Sequence, residues 1–512
     1  MTESPSQHPG KPEAIENRLY INGEFVPSRS GAQFDLYNPA TEAHSASVYE
    51  AGPEDVDLAV AAAKAAFPAW SALGALQRAH YLEKWATNLE RCMPEIYYLD
   101  AICMGKPISN DCNTPPLPPS LPSSRARTPH SHLPVFGSLV PLMVRTFAAK
   151  ALDITGDSSL NTPDFMNITL RQPYGVCGAI IPWNGPVPTM IMKVGAALIT
   201  GNTIVVKTSE KAPLSCLVAA RCAQEAGIPA GVLNILSGHG RPCGEAIARH
   251  MDIRKISFTG STATGRAIQR MAAESNLKSV TLELGGKSPL VIWDDADLAQ
   301  AVPAAAQSIL GNTGQVCIAS SRVYVHASIA DPFLARLKTT MTAMGQSGDP
   351  LHPTTARGPQ ADAAQFARVQ GYLHRAREEH VTIPLGGDRE GTQGYFIQPT
   401  ILTDVPESSP LVKDEIFGPV VVVNTFTDEE DVMTRANDTE YGLYASIYTR
   451  DLSRALRAAK RFEAGSVCIN CTGPTMAFDM PFGGWKASGQ GRELSRYATD
   501  YWTELKSVFI AL

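Results

Sequence analysis

The 512-residue sequence lacks the marks of several protein classes. It has no excess of basic side chains, because 44 Lys and Arg residues stand against 50 Asp and Glu residues, for a net charge of −6. This balance gives no electrostatic reason to expect a nucleic acid or an anionic membrane as a partner. The longest apolar stretches are too short to span a bilayer or are broken by Lys193, Gly201 and Asn202. We therefore expect a small diffusible molecule as the partner.

Targeting patterns are also missing from the start of the sequence. The residues MTESPSQHPGKPEAIENRLY contain neither an apolar signal core nor an Arg-rich amphipathic pattern, so we expect a cytoplasmic protein. The composition, with 44% hydrophobic and 18% charged residues, is typical of a globular chain. A chain of this length is expected to form two or three folding units.

The ten cysteines show neither the spacing of a disulfide framework nor that of a zinc site. We expect reduced thiols and no metal. The single C-x-x-C, formed by Cys468 and Cys471, could be a redox pair or half a metal site. We expect neither, because the sequence has no second C-x-x-C and the pair ends an apolar strand instead of opening a helix.

Apolar runs alternate with helical stretches from about residue 174, which predicts an α/β fold with a parallel, doubly wound sheet. The predicted strands are GVCGAIIPW, NTIVVK, GVLNILSG and KISFTGS, with PLSCLVAARCAQEAG and GEAIARH as helices. A second α/β set begins near SVTLELGGKSPLVIW, and TELKSVFIAL resembles a final strand.

One segment does not fit this pattern. Residues 112–141 contain eight prolines in thirty positions, and they cannot form a helix or a central strand. Two interpretations stay open. The segment is either a surface loop or polyproline insert, or an artefact of the gene model such as a translated intron.

Two short stretches carry candidate chemistry. GNTGQVCIASSR places Cys317 at the end of a polar turn, where a thiol can ionise more readily than inside an apolar element. FTGSTATGR follows a predicted strand and opens a helix. Its Gly260 and Gly265 could let a diphosphate approach the helix N-terminus while Ser261 donates to it, although a plain glycine turn would look the same.

Seven motifs together resemble the aldehyde dehydrogenase superfamily of the NAD-dependent, non-acylating type, in order and approximate spacing. They are PWNGP, VVKTSE, FTGSTATG, LELGGKSP, GQVC, EIFGPV and PFGGWKASGQGRE. The resemblance runs from about residue 15 to the C-terminus, apart from the proline-rich segment. It implies a homodimer or homotetramer with the active site between a Rossmann-like NAD-binding domain and an α/β catalytic domain. The implied boundaries are 15–150 and 174–285 for NAD binding, 286–485 for catalysis, and 151–173 and 486–512 for oligomerisation.

The resemblance also implies catalytic roles. Cys317 would add to the aldehyde carbonyl, giving a thiohemiacetal and, after hydride loss, a thioester. The side chain of Asn184 and the backbone N–H of Cys317 would stabilise the oxyanion. Glu283 would activate the hydrolytic water, helped by burial that raises its pKa. Glu493 resembles a second carboxylate of the family's proton relay.

For the cofactor, Lys207 and Glu210 match positions that bind the adenine ribose hydroxyls. A carboxylate there would accept from a free 2′-OH and repel a 2′-phosphate, so we expect NAD in preference to NADP. Glu415 and Phe417 would position the nicotinamide ribose and ring, with Trp183 nearby.

Departures from the family pattern concern the substrate. Gly185 and Gly311 stand where bulky aromatic residues are frequent, which predicts a widened apolar pocket and an aldehyde bulkier than acetaldehyde. The other expected tunnel residues are Thr189, Met192, Val316, Ile318 and Phe482. Two alternatives remain: a CoA-acylating relative, against which Glu283 argues because that path needs no water-activating base, and a catalytically silent protein on the same scaffold.

Overall fold

Short strands and long helices form the N-terminal part of the computed structural model, which describes residues 8, 10–109, 139–473 and 477–512. Asn22 and Gly23 both have positive φ, as a two-residue hairpin turn requires, and they join the first two strands in antiparallel pairing. Up to residue 173 the elements are β1 Leu19–Ile21, β2 Glu24–Val26, β3 Gln33–Tyr37, β4 His44–Tyr49, α1 Pro53–Ala72, α2 Ala75–Met104, α3 Leu139–Ala148, β5 Ser158–Ser159 and β6 Phe165–Pro173.

Helix α3 corrects one boundary of the proline-rich segment. Residues 139–141, which were expected to be non-helical, form its first turn. Pro141 is tolerated there because the first N–H groups of a helix have no intrahelical acceptor. The remainder of the segment, apart from these three residues, lies outside the described residues.

The predicted doubly wound sheet is confirmed. The four central strands of this sheet are buried along their whole length, which explains why their sequences are continuous apolar runs. The elements are β7 Val176–Ile180, α4 Pro186–Ile199, β8 Thr203–Lys207, α5 Leu214–Glu225, β9 Leu233–Leu236, α6 Glu245–Arg249, β10 Lys255–Thr259, α7 Thr262–Glu274 and β11 Ser279–Glu283. The strand order is β11-β10-β7-β8-β9-β1-β2, with the five strands from β11 to β9 parallel.

A second sheet follows, with the order β14-β15-β16-β13-β12-β17-β18 and only the β14–β15 pair antiparallel. Its strands are β12 Pro289–Ile292, β13 Arg322–His326, β14 Thr382–Leu385, β15 Thr400–Thr403, β16 Val420–Phe426, β17 Tyr444–Tyr448 and β18 Ser466–Ile469. Its helices are α8 Leu298–Leu310, α9 Ala330–Met344, α10 Ala363–Glu378, α11 Pro410–Lys413, α12 Glu429–Asn437 and α13 Leu452–Arg461.

The C-terminal residues join two different sheets. Strand β19 (Gly489–Gln490) pairs antiparallel with β11 in the first sheet. Helix α14 (Ser495–Tyr501) follows, and β20 (Thr503–Ala511) then pairs with β6 along its whole length, next to β5. We call β5, β6 and β20 together the β-arm, and its C-terminal strand spans Thr503–Ala511, within the expected oligomerisation segment 486–512.

Among the described residues, no single helix is long and apolar enough to cross a membrane. Helices α1 and α2 would pass such a test only as a pair, by length and composition, and they are bent by 118°.

Candidate active site

A cleft lies at the carboxyl ends of β7 and β10, the adjacent strands where the order of the first sheet reverses direction. Ligands of doubly wound sheets bind at such a switch point, because the loops after these two strands diverge to opposite faces. The cleft encloses about 590 Å³, including space open to solvent. It brings together eight of the residues singled out in the sequence: Trp183, Asn184, Gly260, Ser261, Glu283, Cys317, Glu415 and Phe417.

Cys317 and Glu283 meet in this cleft. Glu283 is the last residue of β11, and Cys317 follows a tight turn in which Asn312 and Thr313 have positive φ. The Cys317 thiol and the Glu283 carboxyl are hydrogen-bonded. Among the described residues, Oε1 of Glu283 has no hydrogen-bond partner. The carboxyl can therefore accept a further proton donor such as water.

Burial governs the ionisation of both groups. It raises the pKa of Glu283 to about 8, and the nearby Glu493 carboxylate adds to the rise. Burial also raises the pKa of the Cys317 thiol well above its usual value, with further contributions from Glu283 and Glu415. The expectation that a polar turn lets this thiol ionise by itself is wrong. The turn is enclosed by carboxyl-bearing loops, so the thiol needs a partner that removes its proton.

Asn184 is tied to the turn that carries the cysteine. Nδ2 of Asn184 donates to the backbone carbonyl of Gln315 at 3.0 Å. The backbone carbonyl of Asn184 accepts in turn from Nδ2 of Asn312 at 3.1 Å. These bonds hold an amide donor beside the cysteine turn, on the loop that follows β7.

Behind Glu283 lies a buried ion pair that the sequence reading missed in part. Nζ of Lys193 donates to Oε1 of Glu493 at 2.5 Å and to Oγ of Ser257 at 3.0 Å. The second oxygen of Glu493, Oε2, has no partner among the described residues. Lys193 lies in the apolar helix α4, and a charged residue inside such a helix is a signal that it has a buried partner.

The loop before β16 forms the opposite wall of the cleft. Oε1 of Glu415 accepts from the backbone N–H of Gly286 at 2.9 Å, and burial raises the pKa of this carboxyl to about 7. Phe417 has a positive φ of 62°, and its ring lies edge-on to Trp183 with 5.5 Å between centroids. This pair leaves aromatic surface facing the cleft.

Two residues of α10 hold that loop and escaped sequence reasoning. Nε2 of Gln365 donates to the carbonyl of Phe417 at 2.7 Å, and Nη2 of Arg368 donates to the carbonyl of Glu415 at 2.8 Å. Both also line the cleft, as do Thr259 and Leu284. Helix α10 reads as an ordinary amphipathic helix, so no local pattern indicated them.

The residues expected to bind the adenine ribose lie at the end of β8. Nζ of Lys207 is 3.7 Å from Oε2 of Glu210 and donates to the carbonyl of Thr208 at 2.8 Å. Burial lowers the pKa of Lys207, while Glu210 partly offsets that effect. The Glu210 side chain is 34% exposed, so its carboxylate is open to a ligand.

The glycine motif after β10 is divided between two roles. Ser261 caps α7, since its Oγ accepts from the N–H of Thr264 at 3.3 Å. Gly260 and Ser261 line the cleft. Gly265 does not, because a Cβ there would lie 2.6 Å from Cδ2 of Leu284. The absence of a side chain at Gly265 lets the helix pack on that leucine.

The expected tunnel residues are spread over two regions. Gly185 is the N-cap of α4, where a Cβ would make ordinary contact with Oγ1 of Thr189 at 3.7 Å, and Met192 lies in the second turn of that helix. Phe482 packs on Tyr444, with 5.9 Å between ring centroids. Three other members of the set lie on or beside the cysteine turn: Gly311 is buried at the end of α8, Val316 packs on the core of the second sheet, and Ile318 lies beside Gly473.

A thiol next to a buried carboxyl, in the switch-point cleft of a doubly wound sheet, is the arrangement of an enzyme that works on its substrate through cysteine. Comparison with known proteins identifies the family. The model of the aldehyde dehydrogenase family matches residues 25–113 and 139–508, and the chain belongs to this family. The match leaves out residues 114–138, which are most of the proline-rich segment.

Individual relatives are similar over nearly their whole length. An aldehyde dehydrogenase of Aspergillus niger is 42% identical over 96% of this chain and 95% of its own length. A mitochondrial aldehyde dehydrogenase of Leishmania tarentolae is 42% identical over 97% of this chain and 95% of its own. The NAD⁺ complex of the aldehyde dehydrogenase from Bacillus cereus superposes with a TM-score of 0.90 at 41% identity, covering 97% of both chains.

Proposed function

We propose that the chain oxidises an aldehyde bulkier than acetaldehyde to the carboxylic acid, with NAD as oxidant and Cys317 as nucleophile. The observation that carries this proposal is the contact between the half-buried thiol of Cys317 and the buried carboxyl of Glu283 in the switch-point cleft. It provides a nucleophile together with the base that activates it.

The reaction begins with proton transfer from the Cys317 thiol to the deprotonated carboxylate of Glu283, because burial disfavours a free thiolate until the substrate reacts. Burial raises the pKa of Glu283 to about 8, so the reactive form is the fraction of the enzyme in which this carboxyl has lost its proton. In the first step, as the thiolate forms, it adds to the aldehyde carbon. The Nδ2 of Asn184 and the backbone N–H of Cys317 then donate to the oxyanion. NAD, when bound in the cleft, accepts the hydride that leaves this carbon.

The resulting thioester on Cys317 is hydrolysed in the second step. The C–S bond breaks, the carboxylic acid leaves, and the sulfur of Cys317 departs as the thiolate and takes up a proton. Glu283, which must first pass on the proton it took from the thiol, takes a proton from the attacking water through the oxygen that lacks a partner among the described residues. We assign Glu493 and Lys193 to the relay that carries this proton away, because their ion pair lies behind Glu283 and both charges act on its ionisation.

The cleft fits NAD on several counts. Gly260 and Ser261 leave room for a diphosphate before α7, and the Trp183–Phe417 pair offers an aromatic wall for the nicotinamide. The exposed carboxylate of Glu210 supports a preference for NAD, since it would repel the 2′-phosphate of NADP. Glu415 supplies a carboxylate acceptor near the nicotinamide ribose.

The widened pocket is supported chiefly by Gly185, where the structure leaves room for a Cβ, with its nearest neighbour, Oγ1 of Thr189, at 3.7 Å. Exposed apolar side chains on the β-arm support a homodimer or homotetramer in which the arm contacts another subunit: Leu170, Leu505 and Phe509 are 38%, 63% and 70% exposed. The division into NAD-binding and catalytic domains follows the two large sheets, and a cytoplasmic location completes the proposal.

NADH production tests the proposal. The purified chain is assayed with a panel of aldehydes, with NAD or NADP, beside Cys317→Ala and the control Cys92→Ala. We expect NAD-dependent activity that is greatest with bulky aldehydes and falls by about four orders of magnitude or more only in Cys317→Ala. A folded wild-type chain without activity would contradict the proposal, and acyl-CoA formation on adding CoA would indicate the acylating alternative.

A further inference from the structure

The C-x-x-C motif, which we expected from the sequence to be neither a redox pair nor half a metal site, forms a paired thiol site in the structure. Cys468 is buried in β18, and Cys471 is half-buried in the turn that follows. The two thiols are hydrogen-bonded to each other. Asn470, between them, adopts a positive φ of 55° and holds the turn by bonds in both directions to the backbone of Thr449.

The two thiols differ in chemical character. The hydrogen bond from Cys468 lowers the pKa of Cys471 to about 6, with further bonds from the backbone N–H groups of Gly473 and Ile469. The same hydrogen bond and burial raise the pKa of Cys468. An accessible thiolate beside a second thiol is the usual arrangement of an oxidisable pair, with one attacking and one resolving sulfur.

The pair also lies next to the substrate side of the cleft. A Cβ on Gly473 would lie 3.1 Å from Cδ1 of Ile318 and 3.7 Å from Cε1 of Tyr444. Ile318 follows the nucleophile directly, and Tyr444 packs on Phe482. The thiol turn, by which we mean residues 468–473, therefore lies directly beside one expected tunnel residue, Ile318, and reaches a second, Phe482, only through Tyr444.

We infer that Cys468 and Cys471 are a modification site for hydroperoxides, and that their reversible disulfide reshapes the substrate side of the cleft. The second half of this inference rests on the proposed function. The site lies outside the machinery assigned to the reaction, and no step of aldehyde oxidation requires it.

The chemistry balances with the hydroperoxide as oxidant. The Cys471 thiolate attacks one oxygen of ROOH, so that an S–O bond forms, the O–O bond breaks, and RO⁻ leaves to take up a proton as ROH. The Cys468 sulfur then attacks Sγ of Cys471. The S–S bond forms, the S–O bond breaks, and hydroxide leaves as water with the proton of Cys468. Together the two thiols lose two electrons and become one disulfide, and one ROOH gains them and becomes ROH and water.

The nucleophile should be less sensitive than the pair. A peroxide reacts with a thiolate and not with a thiol, and burial raises the pKa of Cys317 well above its usual value. Low doses of peroxide are therefore expected to oxidise the thiol turn before Cys317.

Peptide mass spectrometry tests the site without any need for turnover. The full chain is treated with graded hydrogen peroxide, quenched with catalase, alkylated and digested. We expect a peptide carrying residues 468–471 to lose two hydrogens, about 2 Da, at doses that leave Cys317 fully alkylatable, and to regain them with dithiothreitol. In Cys468→Ser we expect a sulfenic acid at Cys471 that dimedone traps. Oxidation of Cys317 first, with no disulfide at the thiol turn, would overturn the inference.

Kinetics test the coupling to the cleft. Mild oxidation is expected to change the KM for bulky aldehydes about two- to tenfold with little change in kcat, and this shift should vanish in Cys471→Ser. The matched control is Cys92→Ser. Cys92 forms a second hydrogen-bonded thiol pair with Cys222, between α2 and α5, and its loss should leave the shift intact. A shift that persists in Cys471→Ser would overturn the coupling, whereas an inactive chain that still forms the disulfide would contradict only the proposed function.

Discussion

Nζ of Lys193 lies 2.5 Å from Oε1 of Glu493, and the lysine side chain is fully buried. The two charges act in opposite directions on Glu283, because the glutamate raises the pKa of that carboxyl and the lysine lowers it. Burial is the largest cause of the raised pKa, Glu493 adds to it, and Lys193 offsets only part of the effect of Glu493.

Replacing the lysine should show this effect and a structural one. Lys193→Met leaves Glu493 buried without its partner, and breaking a buried pair costs about 3–5 kcal/mol in the free energy of unfolding. Urea denaturation at fixed protein concentration measures it. The control Lys64→Met breaks an exposed pair with Asp252 and should cost about 0–1 kcal/mol. Equal losses in the two variants would contradict the assigned importance of the buried pair.

The pH dependence of kcat/KM should report the ionisation of Glu283. Since the deprotonated carboxyl is the base, kcat/KM is expected to rise with pH through a pKa of about 8. Glu283→Gln should lower activity by about two to four orders of magnitude and remove this limb of the profile. A profile that keeps the same limb in Glu283→Gln would assign the ionisation to another group.

The same carboxyl should make stability depend on pH. Its pKa is raised from 4.5 to about 8 on folding, so between these values the folded chain holds a proton that the unfolded chain has lost. The contribution to stability is complete below pH 4.5 and is lost as the pH rises through 8. Glu283→Gln cannot ionise, so its melting temperature should rise relative to the wild type between about pH 5 and 8. A difference that does not vary with pH would contradict the raised pKa.

Coenzyme choice should respond to Glu210. Glu210→Ala removes a carboxylate at the end of β8, and we expect kcat/KM with NADP to rise about tenfold or more while the KM for NAD increases. The exposed Glu225 at the end of α5 provides the control, because Glu225→Ala removes the same charge from a residue that is not assigned to the cofactor. Unchanged NADP kinetics in Glu210→Ala would remove this residue from the ribose site.

Filling the space at Gly185 should alter substrate size preference. A Cβ there has no neighbour closer than 3.7 Å, and Gly185 directly follows Trp183 and Asn184, which line the cleft, so we expect an aromatic ring at this position to narrow the substrate side. In Gly185→Phe we expect kcat/KM for bulky aldehydes to fall about ten- to a hundredfold, with acetaldehyde little affected. Gly371→Phe, on the exposed side of α10, is the control. A uniform loss for all aldehydes would argue against a widened pocket at this position.

The sequence predicted the first sheet well because buried parallel strands between helices leave a strong local pattern. It also placed Cys317 on a turn. It could not predict the ionisation of that thiol, which depends on burial and on Glu283 and Glu415, carboxylates brought near only by the fold. For the same reason the sequence did not indicate Gln365 and Arg368, which contact the cleft loop only in the folded chain. We predicted that Gly265 would let a diphosphate approach α7, and in the structure its missing side chain also leaves room for Leu284.

The pairing of β19 with β11 has a consequence for biosynthesis. Glu283 lies on a strand whose outer edge pairs, within the part of the chain that the structure describes, only with Gly489 and Gln490. The hydroxyl of Ser488 donates to the carbonyl of Gly285 across 203 residues of chain. The ribosome must synthesise residues 488–490 before the edge of β11, the strand that carries Glu283, can be paired. Until then the nascent chain presents an open sheet edge, which is the state most exposed to misassembly and most in need of a chaperone.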